Sequence, residues 1–183
     1  MIKRIQIILA ILAFVTITSC KKIGKIKEFD LNYSEEIVVP ASNTFVNLPF
    51  NLNSQEVATN SSAEYKNEGT SSKLIESVYM TKLVFTVKSP SSGNFDFLNS
   101  IEIYLSSPNN NEVLVASKYD IPEDGSTQIA MNMNSLNLKN FLQDETYKLR
   151  VKTVTDKTLL SDMTFLSDET FHVKARLRNI FKK

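Results

Sequence analysis

Residues 171–178 alternate without a break: Phe171, Val173, Ala175 and Leu177 are apolar, while His172, Lys174, Arg176 and Arg178 are polar or charged. A period of two sends successive side chains to opposite faces, so this pattern demands a strand with one face in a core and one in water. Four more stretches repeat it. Leu83, Phe85 and Val87 share a face within 78–88, and Ile101, Ile103 and Leu105 alternate with Glu102, Tyr104 and Ser106. Thr127, Ile129, Met131 and Met133 alternate with Gln128, Ala130, Asn132 and Asn134, and Tyr147, Leu149 and Val151 oppose Lys148, Arg150 and Lys152. Turn clusters separate them: SPSSGN at 89–94, SPNNNE at 107–112 and PEDG at 122–125. There Pro, Gly and Asn supply the backbone angles of chain reversals.

Shorter strands are expected at 113–119 and 159–166, and an edge or strand end at TFVNLPF, where Pro49 interrupts the alternation. Leu138, Phe141 and Leu142, at offsets of three and four, predict a short helix over 136–145, and SSKLIES at 71–77 suits one helical turn. Residues 51–72, rich in Asn, Ser, Thr and Glu, read as a long, poorly structured loop. Seven to nine short strands with one or two short helices predict an all-β fold, an antiparallel β-sandwich, with a closed barrel as the alternative. A membrane-spanning barrel is disfavoured because the outward faces carry Lys, Arg, Glu and Asn instead of a lipid-facing apolar band. At 183 residues the chain suits one domain, or one domain plus a tail.

The amino-terminal end has a different logic. Lys3 and Arg4 precede IQIILAILAFVTI at 5–17, an apolar run shorter than the roughly 20 residues a spanning helix needs. A positive start and a short apolar run are the anatomy of a signal peptide over 1–19. Ile17-Thr18-Ser19-Cys20 follows, then KKIGKIK with four lysines and no acid. These four residues resemble the lipobox of bacterial lipoproteins. The resemblance implies that Cys20 carries a covalent diacylglycerol and becomes the first residue of the mature chain, with 20–28 as a lipidated tether and 29–183 as the sandwich domain. Lys21, in place of an aspartate after the cysteine, implies an outer-membrane anchor, and the absence of an acidic run there favours a periplasm-facing domain. Cys20 is the chain's one cysteine, so its acylation leaves no thiol for a disulfide or a thiolate metal site.

The stretch from NFDFLNSIEIYL to FHVKARL is similar to immunoglobulin-like sandwich domains of envelope lipoproteins. Antibody-type domains are excluded, because the chain has no tryptophan and its single cysteine is committed to lipid. The formal charge is +1; removing residues 1–19 takes Lys3 and Arg4 and leaves 19 cations against 20 acids, a net of −1. So balanced a domain is a poor nucleic-acid binder.

Catalytic chemistry is thinly represented. One histidine, His172, on a strand with Lys174 and Arg176, does not suffice for a triad, and the shortage of His and Cys disfavours zinc. Neither a catalytic residue nor a metal or other cofactor is expected. Carboxylates in apparent turns, Asp120, Glu123, Asp124 and the pair Asp168 and Glu169, leave a hydrolase as a minor alternative. A distributed basic feature remains: Lys148, Arg150 and Lys152 on one strand and Lys174, Arg176 and Arg178 on another. If the two rows meet, they form a candidate binding face for an anionic glycan, lipid headgroup or protein; if acids interleave, they are two ordinary solvated faces. The chain therefore reads as a lipid-anchored binding or scaffolding domain, or an accessory subunit of a surface adhesin or glycan-capture assembly.

Overall fold

The computed structural model describes residues 25–41, 49–54 and 56–177. Within them the chain forms an antiparallel β-sandwich. The first sheet has the order β1-β10-β4-β7, from β1 (Ile26–Val39), β4 (Ile75–Ser89), β7 (Gln128–Ala130) and β10 (Met163–Arg176). The second has the order β2-β9-β5-β6-β8, from β2 (Pro49–Asn53), β5 (Leu98–Ser107), β6 (Asn110–Lys118), β8 (Asn132–Met133) and β9 (Thr146–Thr155). The two-residue β3 (Val57–Ala58) adds to β9. β7, β3 and β8 are only two or three residues long, so the seven longer strands fall within the expected number.

The alternation seen in the sequence is the burial pattern of the strands. In β10 every odd residue from Met163 to Ala175 is buried, and in β9 Tyr147, Leu149, Val151, Thr153 and Thr155 are buried. These rows face each other across the core. Phe85, Phe95 and Phe165 meet edge to face at one end, with centroids 5.1 Å and 5.9 Å apart, and Tyr33, Tyr147 and Phe171 form a second edge-to-face triangle. Such pairs add roughly 0.5–1.5 kcal/mol each beyond their area burial.

Several sequence expectations are corrected. The tether expected over 20–28 is already strand by Ile26, whose register with β10 runs from Ile26 opposite Arg176 to Val39 opposite Met163. Residues 163–176 are one strand, where two segments and a turn at Asp168 and Glu169 were expected; pairing with β1 on one side and β4 on the other holds it extended throughout. The helix predicted over 136–145 reduces to a 3-10 turn, Phe141–Gln143. Backbone groups there are claimed elsewhere: Leu138 N–H donates to the Val78 carbonyl at 2.7 Å, and the Asn137 side chain accepts from Val78 N–H and Lys139 N–H. Leu138, Phe141 and Leu142 are nonetheless buried, as their spacing suggested.

The stretch read as a loop over 51–72 carries β3, the helix α1 (Ser61–Asn67) and a 3-10 turn, Ser72–Leu74. Its anchors are few but complete. Tyr65 is fully buried with its hydroxyl on the Leu142 carbonyl, and the Thr59 hydroxyl donates to the Asp144 carbonyl at 2.8 Å. Gly69, at φ +74°, closes α1 where a side chain would be strained. No helix among the described residues is long and apolar enough to cross a membrane.

The antiparallel arrangement gives the sandwich two distinct ends. β1 and β4 start, and β10 finishes, at the end where α1 lies; Leu177 N–H donates to the Lys25 carbonyl and the Thr70 hydroxyl to the Arg176 carbonyl. At the far end the loops 89–97, 119–127 and 156–162 are tied together by Gly125 N–H on Asp96, Asp156 N–H on the Phe97 carbonyl and the Lys157–Glu123 ion pair.

Candidate functional site

The two basic rows are not brought together. Lys148, Arg150 and Lys152 point outward from β9 in the second sheet, whereas Lys174 and Arg176 point outward from β10 in the first. Outer faces of a sandwich look in opposite directions, so one basic surface cannot form from both. Acids from neighbouring elements also meet them. Lys148 pairs with Glu56 at 2.9 Å, Arg150 with Glu112 at 2.8 Å, Lys152 with Glu102 at 2.9 Å and Arg176 with Glu76 at 2.7 Å. Lys174 lies 4.0 Å from Glu28, which also approaches His172; that ring is held by Asp30 at 2.8 Å. Arg178 and Cys20 lie outside the described residues.

The β9 row nevertheless belongs to an organised surface. Register places Lys152 beside Glu102 and Arg150 beside Tyr104 across the β5–β9 ladder, with Asn51 of β2 flanking Lys152. Glu102 is the hub. Its Oε2 accepts from Lys152 and Tyr104, each at 2.9 Å, and its Oε1 accepts from Tyr119 at 2.8 Å. The Lys152 and Tyr119 donors hold this carboxyl below its ordinary range, and the same bonds raise Lys152 and Tyr119. Arg150 makes a two-pronged bond to Glu112, donates to Asn51 Oδ1 at 2.6 Å and lies 4.1 Å over the Tyr104 ring. Pairing with the guanidinium depresses Glu112. Tyr119, just after β6, remains 53% exposed. The result is a flat field of alternating donors and acceptors with one aromatic ring left open. The cations of this surface are legible in the sequence and its tyrosines are not, because Tyr104 looks like any outward strand residue and Tyr119 lies at a strand's end.

The acids weighed for hydrolysis are dispersed. Asp168 is on the outer face and accepts from Ser34 at 2.7 Å, Glu123 pairs with Lys157, and Asp124 caps Ser126 N–H at 3.0 Å. Glu169 goes the other way, into the core, at 1% exposure. Tyr147 Oη donates to its Oε2 and Ser167 Oγ to its Oε1 at 2.8 Å. Burial pushes the carboxyl up to about 7, with the negative charges of Glu35 and Asp168 adding to the rise and the two hydroxyl donors opposing it. Burial and the neighbouring carboxylate raise the Tyr147 phenol as well. Tyr33 stacks against this pair and donates to the Thr59 carbonyl.

Three shallow clefts surround the β3–α1 segment. One of about 310 Å³ lies between β1 and α1, lined by Asp30, Asn32, Tyr33 and Glu64; one of about 420 Å³ is lined by Asn60, Ser62, Gln143 and Glu145; one of about 300 Å³ includes Ser106, Pro108 and Lys148. Among the described residues no three His, Cys, Asp or Glu side chains are grouped to hold a metal ion.

No protein-family model matches the chain, and no curated protein matches it. Among solved structures, the 60-mer BFDV capsid protein is similar over 87% of this chain and 98% of its own, at 8% identity and a TM-score of 0.44. CpGH89CBM32-5 from Clostridium perfringens, in complex with GalNAc-β-1,3-galactose, is similar over 77% of this chain and 94% of its own, at 12% identity and a TM-score of 0.32. A carbohydrate-binding module from the β-sandwich superfamily is similar over 85% of this chain and 57% of its own, at 11% identity and a TM-score of 0.26.

Proposed function

We propose that this chain is an outer-membrane lipoprotein, anchored through Cys20 and facing the periplasm, whose sandwich binds a glycan without catalysing a reaction. The ligand sits on the outer face of the second sheet. The observation that carries the reading is the geometry around Tyr119: an exposed ring whose hydroxyl is tied to Glu102, beside Lys152 and the Arg150–Tyr104 stack. A pyranose offers an apolar C–H face to a fixed aromatic ring and hydroxyls that donate and accept at its rim. Glu102 and Lys152 provide one acceptor and one donor at such a rim.

A neutral sugar suits this face better than an anionic one. Every β9 cation already has a carboxylate at bonding distance, so an anionic glycan would have to displace Glu102, Glu112 or Glu56. A hydroxyl accepts from Lys152 and donates to Glu102 without breaking their pair.

Screening the full mature chain against neutral and acidic envelope polysaccharides tests the reading. Binding to a neutral glycan should weaken about tenfold or more in Tyr119→Ala, as for an aromatic hot spot, and persist in Tyr119→Phe. Undiminished binding in Tyr119→Ala, or a preference for acidic polymers, would overturn the assigned face. The anchor is checked separately, by palmitate labelling that Cys20→Ser should abolish.

A further inference from the structure

We infer that the end of the sandwich carrying α1 docks on an anionic phospholipid surface, so that the lipid anchor holds the domain in one orientation. This rests on the Cys20 anchor proposed above and adds to it a second, protein-borne contact. The β1–β10 register is the first observation. Ile26 faces Arg176 and Leu177 N–H bonds the Lys25 carbonyl, so the segment arriving from Cys20 and the segment leaving after Leu177 join the domain side by side. Residues 21–24 and 178–183 carry five cations, Lys21, Lys22, Arg178, Lys182 and Lys183, and no acid. Remote in sequence, they are attached at the same end by the fold.

The described surface at that end adds to them. Lys25, Lys66 and Lys73 are exposed, and among the described residues none has a carboxylate partner, unlike Lys27, which pairs with Glu68. Lys66 and Lys73 belong to α1 and the following 3-10 turn, joined to the β10 terminus through the Thr70 hydroxyl on the Arg176 carbonyl. Ile26, next to Lys25 at the start of β1, stands 51% exposed. A half-exposed aliphatic group at an end that also carries unpaired ammonium groups suits a headgroup layer, where the cations meet phosphates and the apolar group meets the acyl boundary.

The far end carries the opposite charge. Its three loops, 89–97, 119–127 and 156–162, hold six acids and one cation, Lys157. β1 spans the distance with 14 residues, about 45 Å at roughly 3.3 Å per residue. An anionic bilayer attracts one end and repels the other over more than a Debye length, so the field orients the domain. The glycan face on the second sheet then stands roughly perpendicular to the membrane, open to the periplasm.

The chain contains no tryptophan, so one introduced residue is a unique reporter. Lipidated full-length protein carrying Ile26→Trp or, as the far-end control, Leu160→Trp, is placed in vesicles of phosphatidylcholine alone or equimolar with phosphatidylglycerol. Leu160 is 86% exposed, so its replacement disturbs no packing. Ile26→Trp should shift to shorter wavelength and be quenched by brominated lipid only in the anionic vesicles, and molar salt should reverse both changes. Leu160→Trp should stay solvent-like in every vesicle. Each cation is worth about fivefold, so combining Lys25→Gln, Lys66→Gln and Lys73→Gln should lower the docked-to-free ratio on the order of a hundredfold. Equal quenching of Ile26→Trp in both vesicle types, or quenching of Leu160→Trp to the same extent, would overturn the docking surface. Absence of palmitate on Cys20 would instead overturn the anchor and the orientation with it.

Discussion

Replacing Glu169 by glutamine should remove a pH dependence that the wild-type domain carries in its core. The carboxyl is 1% exposed and its proton affinity rises from an ordinary 4.5 to about 7. An acid whose folded value lies above its unfolded value favours the folded state fully below the unfolded value. That contribution fades as pH rises through the folded value. At about 1.36 kcal/mol per tenfold change, the wild type should lose about 2–3 kcal/mol between pH 5 and pH 8 from this group. For a domain of this size that corresponds to roughly 5–10 °C in Tm. Glutamine is nearly isosteric: its carbonyl accepts from Tyr147, its amide donates to Ser167 Oγ, and the hydroxyls that hold Glu169 keep a partner each. Urea unfolding of both proteins at pH 5, 6, 7 and 8 isolates the effect, because groups common to both cancel in the difference. The stability of Glu169→Gln relative to wild type should climb by about 2–3 kcal/mol across that range. Parallel profiles would refute the reasoning, since they would mean that the buried carboxyl does not take up a proton on folding.

Tyr65→Ala should cost about 3–5 kcal/mol, the usual loss for a fully buried aromatic, and should release the β3–α1 segment before the sheets unfold; hydrogen exchange of amides 57–70 measured against those of β10 checks the order of opening. Glu112→Gln should change stability by less than about 1 kcal/mol, because the Arg150 pair it breaks lies at the surface; thermal melts at low and high salt measure it. Gly125→Ala should cost about 1 kcal/mol although nothing lies within 4 Å of the added methyl, because the backbone sits at φ +72°; Gly125→Asn, which tolerates that conformation better, should recover part of the loss in the same melts.

The legible part of the fold was the part written in local periodicity. β5, β9 and the second half of β10 were read directly, because each buries one face and wets the other, and burial alternates with the sequence. Residues 163–169 were harder, since Ser167 and Glu169 occupy inward positions and broke the apolar row; only their bonds to each other and to Tyr147 explain polar groups there. β1 was missed for a related reason, with Glu35 inward and lysines at its start resembling a tether. The predicted helix over 136–145 failed because an edge of β4 offered its backbone groups better-placed partners.

The sequence by itself determined an all-β domain with an antiparallel sandwich pattern, the inward rows that fill its core, and the cations that edge its surfaces, because a strand's period of two follows from backbone geometry alone. Only the tertiary structure decided which strands are neighbours. Strand order put β9 and β10 in different sheets and so divided the basic rows, set Glu102 between Lys152 and two tyrosines, turned Glu169 into the core, and brought Lys25 and Leu177 side by side at one end of the sandwich. Pairing across more than a hundred residues is fixed by the joint burial of all the inward faces, and no local stretch of sequence carries that information.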